Sequence, residues 1–166
     1  MINPNRWEQR VIKISRVSKV VKGGKKISFR AIVIVGDNQK SVGVGIGKAN
    51  GVSTAIKKAE FNGKKNLITI PLTKENTITH TTLGVTSGAN VFIRPAVPGT
   101  GVIAGGSVRI VLELAGIKNV LSKQLGSDSV LNNARAAICA LKSLKTIEDT
   151  MAKRQLSFEG VFGKSH

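Results

Sequence analysis

Val21-Lys22-Gly23-Gly24-Lys25-Lys26 is the stretch on which the reading of the fold turns. A glycine pair framed by two β-rich runs marks a hairpin. Upstream, Val11 to Val21 alternates imperfectly, with Val11, Lys13, Ser15, Val17 and Lys19 on one side and Ile12, Ile14, Arg16, Ser18 and Val20 on the other. That reads as a strand. Downstream, Ile27 to Val35 is a β-branched run closed by Gly36-Asp37-Asn38, and Ser41 to Gly47 makes a third strand. Gly51 to Asn62 then sets Val52, Ala55, Ile56 and Ala59 at helical spacing, with Gly63 expected to stop the helix. The expectation is a β-β-β-α unit whose hairpin tip is cationic.

Beyond a short strand at Leu67 to Ile70, Pro71 and the polar run Thr73 to Thr77 suggest a domain boundary. Strands are expected at Thr77 to Leu83 and Ala89 to Pro95, followed by a glycine- and proline-rich loop. Val108, Val111, Leu112 and Ala115 define a helix over Ser107 to Ala115, ended by Gly116. Lys118 to Leu125 reads as a strand. Ser127 or Asp128 is placed to cap a helix over Val130 to Leu144, with Ala134, Ala137, Ile138 and Leu141 inward. Thr146 to Gln155 reads as a polar helix before a loose tail. The organisation expected is a basic domain over 1–74, an α/β domain over 75–150 and a C-terminal extension over 151–166.

Composition narrows the function. The 166 residues hold 26 Lys and Arg against 9 Asp and Glu, a net charge of +17. Residues 1–74 carry +13 of it, from 16 basic and 3 acidic side chains. A compact chain tolerates such self-repulsion best when a polyanion neutralises it. No basic amphipathic helix points to a membrane surface, and no apolar run approaches a membrane span or a signal core. The chain is therefore expected to be soluble and to stay where it is made. One cysteine provides neither a disulfide framework nor a metal cluster. Cys139, among alanines, is expected to be buried, while Arg135 and Lys142 share a solvated face.

The strongest functional signal is the hairpin. Arg16, Lys19, Lys22, Lys25, Lys26 and Arg30 surround Gly23 and Gly24, and every charge from Arg10 to Arg30 is positive. Like charges across a strand pair destabilise it unless phosphates neutralise them. Lys48, Lys57, Lys58, Lys64 and Lys65 extend the cluster at and around the first helix, either as a solvated face or as RNA contacts. Gly43-Val44-Gly45-Ile46-Gly47-Lys48 lacks phosphate-loop spacing. Its glycines instead share one strand face, open either to close packing or to direct RNA approach. Gly99-Thr100-Gly101 and Gly105-Gly106 precede a helix, an arrangement suited to a nucleotide, an RNA phosphate or merely a tight turn. Asp37, Asp128 and Asp149, the only aspartates, lie far from that loop in sequence, which argues against magnesium-dependent catalysis. No catalytic residue, cofactor or metal is expected.

Several segments in order resemble the bacterial and plastid family of small-subunit ribosomal protein five. They are Arg16 to Gly24, Val42 to Ala49, Pro98 to Gly106 with Arg109, Leu112 to Gly116, Asn119-Val120-Leu121 and Asn132 to Ala136. The resemblance implies an α+β chain: an N-terminal domain like a double-stranded-RNA-binding domain, then a C-terminal βαβ-type domain with helices on one face of a sheet. It also implies binding to small-subunit rRNA, contact with small-subunit proteins four and eight, and an influence on decoding accuracy. The position matching Arg16 would face mRNA in the channel through which mRNA enters. The hairpin matching Val17 to Gly24 would lie near the spectinomycin pocket of the rRNA. Gly101 and Arg109 match positions at the contact with protein four. The setting implied is a ribosome of the bacterial cytoplasm or plastid stroma. The alternatives are a free RNA chaperone or double-stranded-RNA binder and, because the second domain's fold also occurs there, a nucleotide-dependent kinase.

Overall fold

A computed structural model describes residues 7–155. The lead over 1–6 and the tail over 156–166, expected to be loose, lie outside the described residues. β1 (Glu8–Val21) and β2 (Gly24–Gly36) form the hairpin, which β3 (Ser41–Ala49) and the short β4 (Ile68–Thr69) extend into an antiparallel sheet ordered β1-β2-β3-β4. Val21 pairs with Gly24, so the two-residue loop is Lys22-Gly23 rather than the glycine pair. Gly23 takes φ +87°, a conformation that disfavours any side chain.

Alternation along β2 assigns its two faces. Ala31, Val33 and Val35 pack with Ala55 and Ala59 of α1 (Val52–Lys65). Ile34 and Val42 point the other way, into the main core. The glycines of β3 sit opposite Ala31, Val33 and Val35 and therefore lie under α1. A Cβ on Gly45 would overlap the carbonyl oxygen of Ala59 and the backbone nitrogen of Gly63. Close helix packing, not RNA approach, occupies this bare face. Gly63 does not stop the helix as expected; α1 continues to Lys65 because Gly63, buried, lets the last turn settle against β3.

The second sheet has the order β5-β6-β8-β7, from β5 (Thr82–Thr86), β6 (Ala89–Pro95), β7 (Val102–Ile103) and β8 (Val120–Gly126). β7 and β8 are parallel and joined through α2 (Gly106–Leu114), a βαβ unit beside an antiparallel hairpin. α2 and α3 (Val130–Lys142) cover one face. The strand expected from Thr77 starts only at Thr82: Thr77 Oγ1 donates to the Asn119 carbonyl at 2.7 Å and Ile78 bridges Leu72, which spends that segment on closing a turn. β7 falls within the expected glycine- and proline-rich loop, since two residues carry no periodicity. Ser129, rather than Ser127 or Asp128, is the N-cap of α3, with its side chain making no cap bond. α4 (Ile147–Arg154) opens on a capping box between Thr146 and Asp149.

Beside the small cluster under α1, the two sheets share a main interior. Ile34, Val42 and Ile70 join Val91, Leu112, Leu114 and Ala137 in one continuous buried cluster. Full burial of a Val, Leu or Ile side chain is worth roughly 1.5–3 kcal/mol. At the seam the Asn38 N–H donates to the Leu114 carbonyl at 3.0 Å, and Gly36 lies so close to Leu114 that a Cβ would sit 2.8 Å from its carbonyl carbon. Cys139 corrects an expectation: it is exposed. It follows Arg135 at i+4 and precedes Lys142 at i+3, on the outward stripe of α3, while Ala136, Ala137 and Ala140 face in.

Candidate nucleic-acid interface

Strand register brings the hairpin's cations together. Lys19 lies directly across from Lys26, and Arg30 directly across from Lys48. Residues 26, 28 and 30 share one face of β2, so all four cations project from the same side of the sheet. Two like-charged cross-strand pairs are unfavourable in the free chain. Next to them a concavity of about 590 Å³ is lined by Lys19, Lys26, Ser28, Lys48, Asn50, Thr54 and Lys58, with no carboxylate among them. Lys58 reaches it from α1. The amide of Asn50 and the hydroxyls of Ser28 and Thr54 add groups suited to phosphate or ribose oxygens.

Lys13, absent from the sequence-based candidates, shares a second cleft of about 380 Å³ with Arg30, where the sheet meets the start of α3. A period-2 count from Lys19 back through Val17 and Ser15 would have placed Lys13 on the same face. Other candidates lie elsewhere. Arg16 is opposite Phe29 and Lys25 opposite Val20, on the other hairpin face. Lys22, Gly23 and Gly24 form the tip. Lys64 is paired to Glu60 at 2.7 Å and the Lys65 ammonium lies 4.5 Å from the Phe61 ring centroid, and neither lines the concavity. Lys57 is exposed on α1 and does not line the concavity.

The glycine-rich loop is closed on itself. The N–H groups of Gly99 and Gly101 both donate to Asn119 Oδ1, at 3.0 and 3.3 Å, and the Asn119 amide donates to the Glu75 carbonyl at 3.2 Å. These two donors are spent on Asn119 in a tight turn and are not free for a phosphate. Gly101 itself takes φ +75°. Arg109 donates to Glu113 Oε1 at 2.8 Å, one turn along α2 at i,i+4 spacing. Arg10 of β1 holds the other oxygen, Oε2, at 2.6 Å. The Arg109 bond holds the Glu113 carboxyl below the ordinary carboxylate range, against partial burial and with help from Arg10. His80 is structural: its Nε2 accepts from the Lys145 N–H and its Nδ1 meets the Thr81 carbonyl, both at 3.0 Å.

Comparison with known proteins gives two family matches in chain order. Residues 7–71 match Ribosomal protein S5, N-terminal domain, and residues 84–154 match Ribosomal protein S5, C-terminal domain. The chain is 62% identical over 156 residues to small ribosomal subunit protein uS5 of Synechocystis sp., covering 94% of this chain and 90% of the relative. It is 60% identical to the same protein of Gloeothece citriformis, with the same coverage. Against that of Thermosynechococcus vestitus it is 58% identical over 158 residues, covering 95% and 91%.

Proposed function

The chain belongs to the ribosomal protein S5 family, a structural constituent of the small ribosomal subunit and not an enzyme, and on that premise we propose that it holds small-subunit rRNA on the face bearing Lys19, Lys26, Arg30 and Lys48. The observation that carries this reading is the register that stacks those four cations as two like-charged pairs beside a carboxylate-free concavity. Phosphates there would remove a repulsion built into the fold. Lys58 is the contribution of α1, and the tip at Lys22, Gly23 and Gly24 enters the RNA first.

The two hairpin faces support a division of work. Arg16 and Lys25 lie opposite the Lys19 and Lys26 side, so rRNA on one face leaves Arg16 available to mRNA in the channel through which it enters. Gly101 and Arg109, in the half that carries little of the charge, form the contact with protein four through which the chain influences decoding accuracy. Protein eight is the second protein neighbour. The functional division at residue 74 follows the charge, although the interior is continuous across it. The site of action is a ribosome of the bacterial cytoplasm or plastid stroma.

The test is binding of the full chain to small-subunit rRNA across a salt titration, in competition with a generic RNA duplex. Selective binding, weakened and flattened by Lys19→Ala with Lys26→Ala, is the expected result. Equal affinity for generic duplexes, with no stoichiometric retention in salt-washed small subunits, would favour a free double-stranded-RNA binder instead.

A further inference from the structure

Arg10 reaches the second half of the chain only because β1 is irregular. Its pairing with β2 shifts by one residue between Val11 and Lys13: Lys13 lies across from Ile32, and Val11 across from Val33. Counted back from Lys13 without that shift, Arg10 would lie across from Val35, whose side chain packs under α1. The bulge places it across from Ile34 instead, on the face that shares a core with Leu112 and Leu114 of α2. There Arg10 Nη1 donates to Glu113 Oε2 at 2.6 Å, while Glu113 Oε1 accepts from Arg109 Nε at 2.8 Å. One carboxylate thus serves two guanidiniums, and each takes one oxygen. Among the described residues the Arg109 Nη groups donate to nothing, and the side chain is 58% exposed. A guanidinium held at Nε alone presents its Nη groups outward, as donors that can grip a carboxylate or phosphate at two points.

We propose that Arg10 is a positioning residue: by holding Glu113 Oε2 it keeps the carboxylate from closing on Arg109 at two points, and so leaves the Arg109 Nη groups available to an outside partner. Without Arg10, Oε2 is released and turns to the one guanidinium left beside it, because a bidentate pair is the stronger arrangement. The first half of the chain then controls a side chain that the second half displays. A pair serving stability alone would need neither the bulge nor the shared oxygen, since Arg109 and Glu113 already meet one helical turn apart. Glu8 holds the Arg10 Nε at 3.0 Å and steadies the guanidinium that reaches across. The consequence for accuracy rests on the reading that Arg109 acts through an outside contact; the competition for Glu113 does not.

The experiment uses the full chain, isotope-labelled at arginine, in which NMR follows rotation about the Arg109 Nε–Cζ bond, together with a misreading assay in cells carrying each variant. Arg10→Ala is expected to slow that rotation, since a guanidinium held at two points turns less freely than one held at Nε. It should raise misreading in the direction of Arg109→Leu, by no more than about fivefold, the equilibrium factor of an exposed pair. In an Arg109→Leu background it should add nothing. Arg10→Lys, which keeps a donor for Oε2, should preserve the parent's behaviour in both measurements. Unchanged rotation in Arg10→Ala would overturn the proposal, as would a rise in misreading that persists without Arg109. A collapsed melt would overturn it too, by making Arg10 a support of the fold. Slowed rotation with normal misreading in Arg10→Ala and Arg109→Leu alike would instead strike the accuracy reading and leave the competition for Glu113 standing.

Discussion

Arg10 in β1 and Glu113 in α2 meet at 2.6 Å although 103 residues separate them in the chain. Glu113 simultaneously holds Arg109, while Arg10 also holds Glu8, whose second oxygen accepts from Asn38. One carboxylate therefore ties the first sheet to the helix carrying the proposed contact with protein four. Replacing Glu113 with Gln should cost about 1 kcal/mol, since each pair is partly exposed and such pairs are worth ~0–1 kcal/mol. A double-mutant cycle between Arg10→Ala and Glu113→Gln, read by urea denaturation, should give a non-zero coupling; strict additivity would mean that the two sheets do not communicate here.

Arg109→Leu should raise misreading of near-cognate codons while leaving the melt within about 1 kcal/mol of the parent. The side chain is more than half exposed, so its loss removes a contact surface and not a core element. A dual-reporter misreading assay beside a thermal melt checks this. Normal misreading with a normal melt would reject the role in accuracy.

Gly45→Val should destabilise at the upper end of the ~1–3 kcal/mol typical of overpacking, because the atoms it meets are helix backbone. Gly106→Ala, at the open start of α2 with nothing within 4 Å, should be neutral or slightly stabilising. Equal melting temperatures for the two variants would contradict the packing of α1 on β3.

Removing Lys19 and Lys26 should lower the magnitude of the salt slope of rRNA binding by about 0.7–0.9 for each phosphate that the chain then leaves unneutralised. The comparison belongs in the full chain. Fragments cut at residue 74 would expose Ile34, Val42 and Ile70, which are buried against the other half. An unchanged slope would show that these lysines contact no phosphate.

Stability should fall on acidification. Burial pushes the Asp37 carboxyl up, but backbone N–H groups of Ser41, Lys40 and Gln39 outweigh it and leave the group below its ordinary value. Glu8, through Asn38 and then Arg10, and Glu113 are also lowered. With folded values depressed, the unfolded chain takes up protons first. The stabilisation is complete above the ordinary carboxylate range of about 4 and disappears as pH falls through the folded values. Urea midpoints between pH 6 and pH 3 should show the loss, and Asp37→Asn should flatten it; a midpoint independent of pH would refute the assignment.

Much of the fold is legible in the chain because it depends on local periodicity. The hairpin, the four main helices near their observed bounds, the inward alanines of α3 and the Arg109–Glu113 pair all follow from spacings of 2, 3 or 4 residues. Misplacements arise where long-range partners outweigh local pattern. Gly63 looks like a stop signal until Gly45 lies beneath it, and Thr77 looks like strand until Asn119 takes its hydroxyl. The alanine neighbours of Cys139 suggest burial, although its position between Arg135 and Lys142 already points outward.

By itself the sequence determined that the first half is a basic β-β-β-α unit and that its charge calls for a polyanion, because alternation and net charge are properties of the chain alone. Tertiary structure decided which cations act together. Cross-strand register, set by pairing between distant residues, put Lys19, Lys26, Arg30 and Lys48 on one face and Arg16 on the other. Packing between the halves likewise joined Arg10 to Glu113 and left one sheet face uncovered, since neither proximity nor exposure can be read from a segment without the surface it folds against.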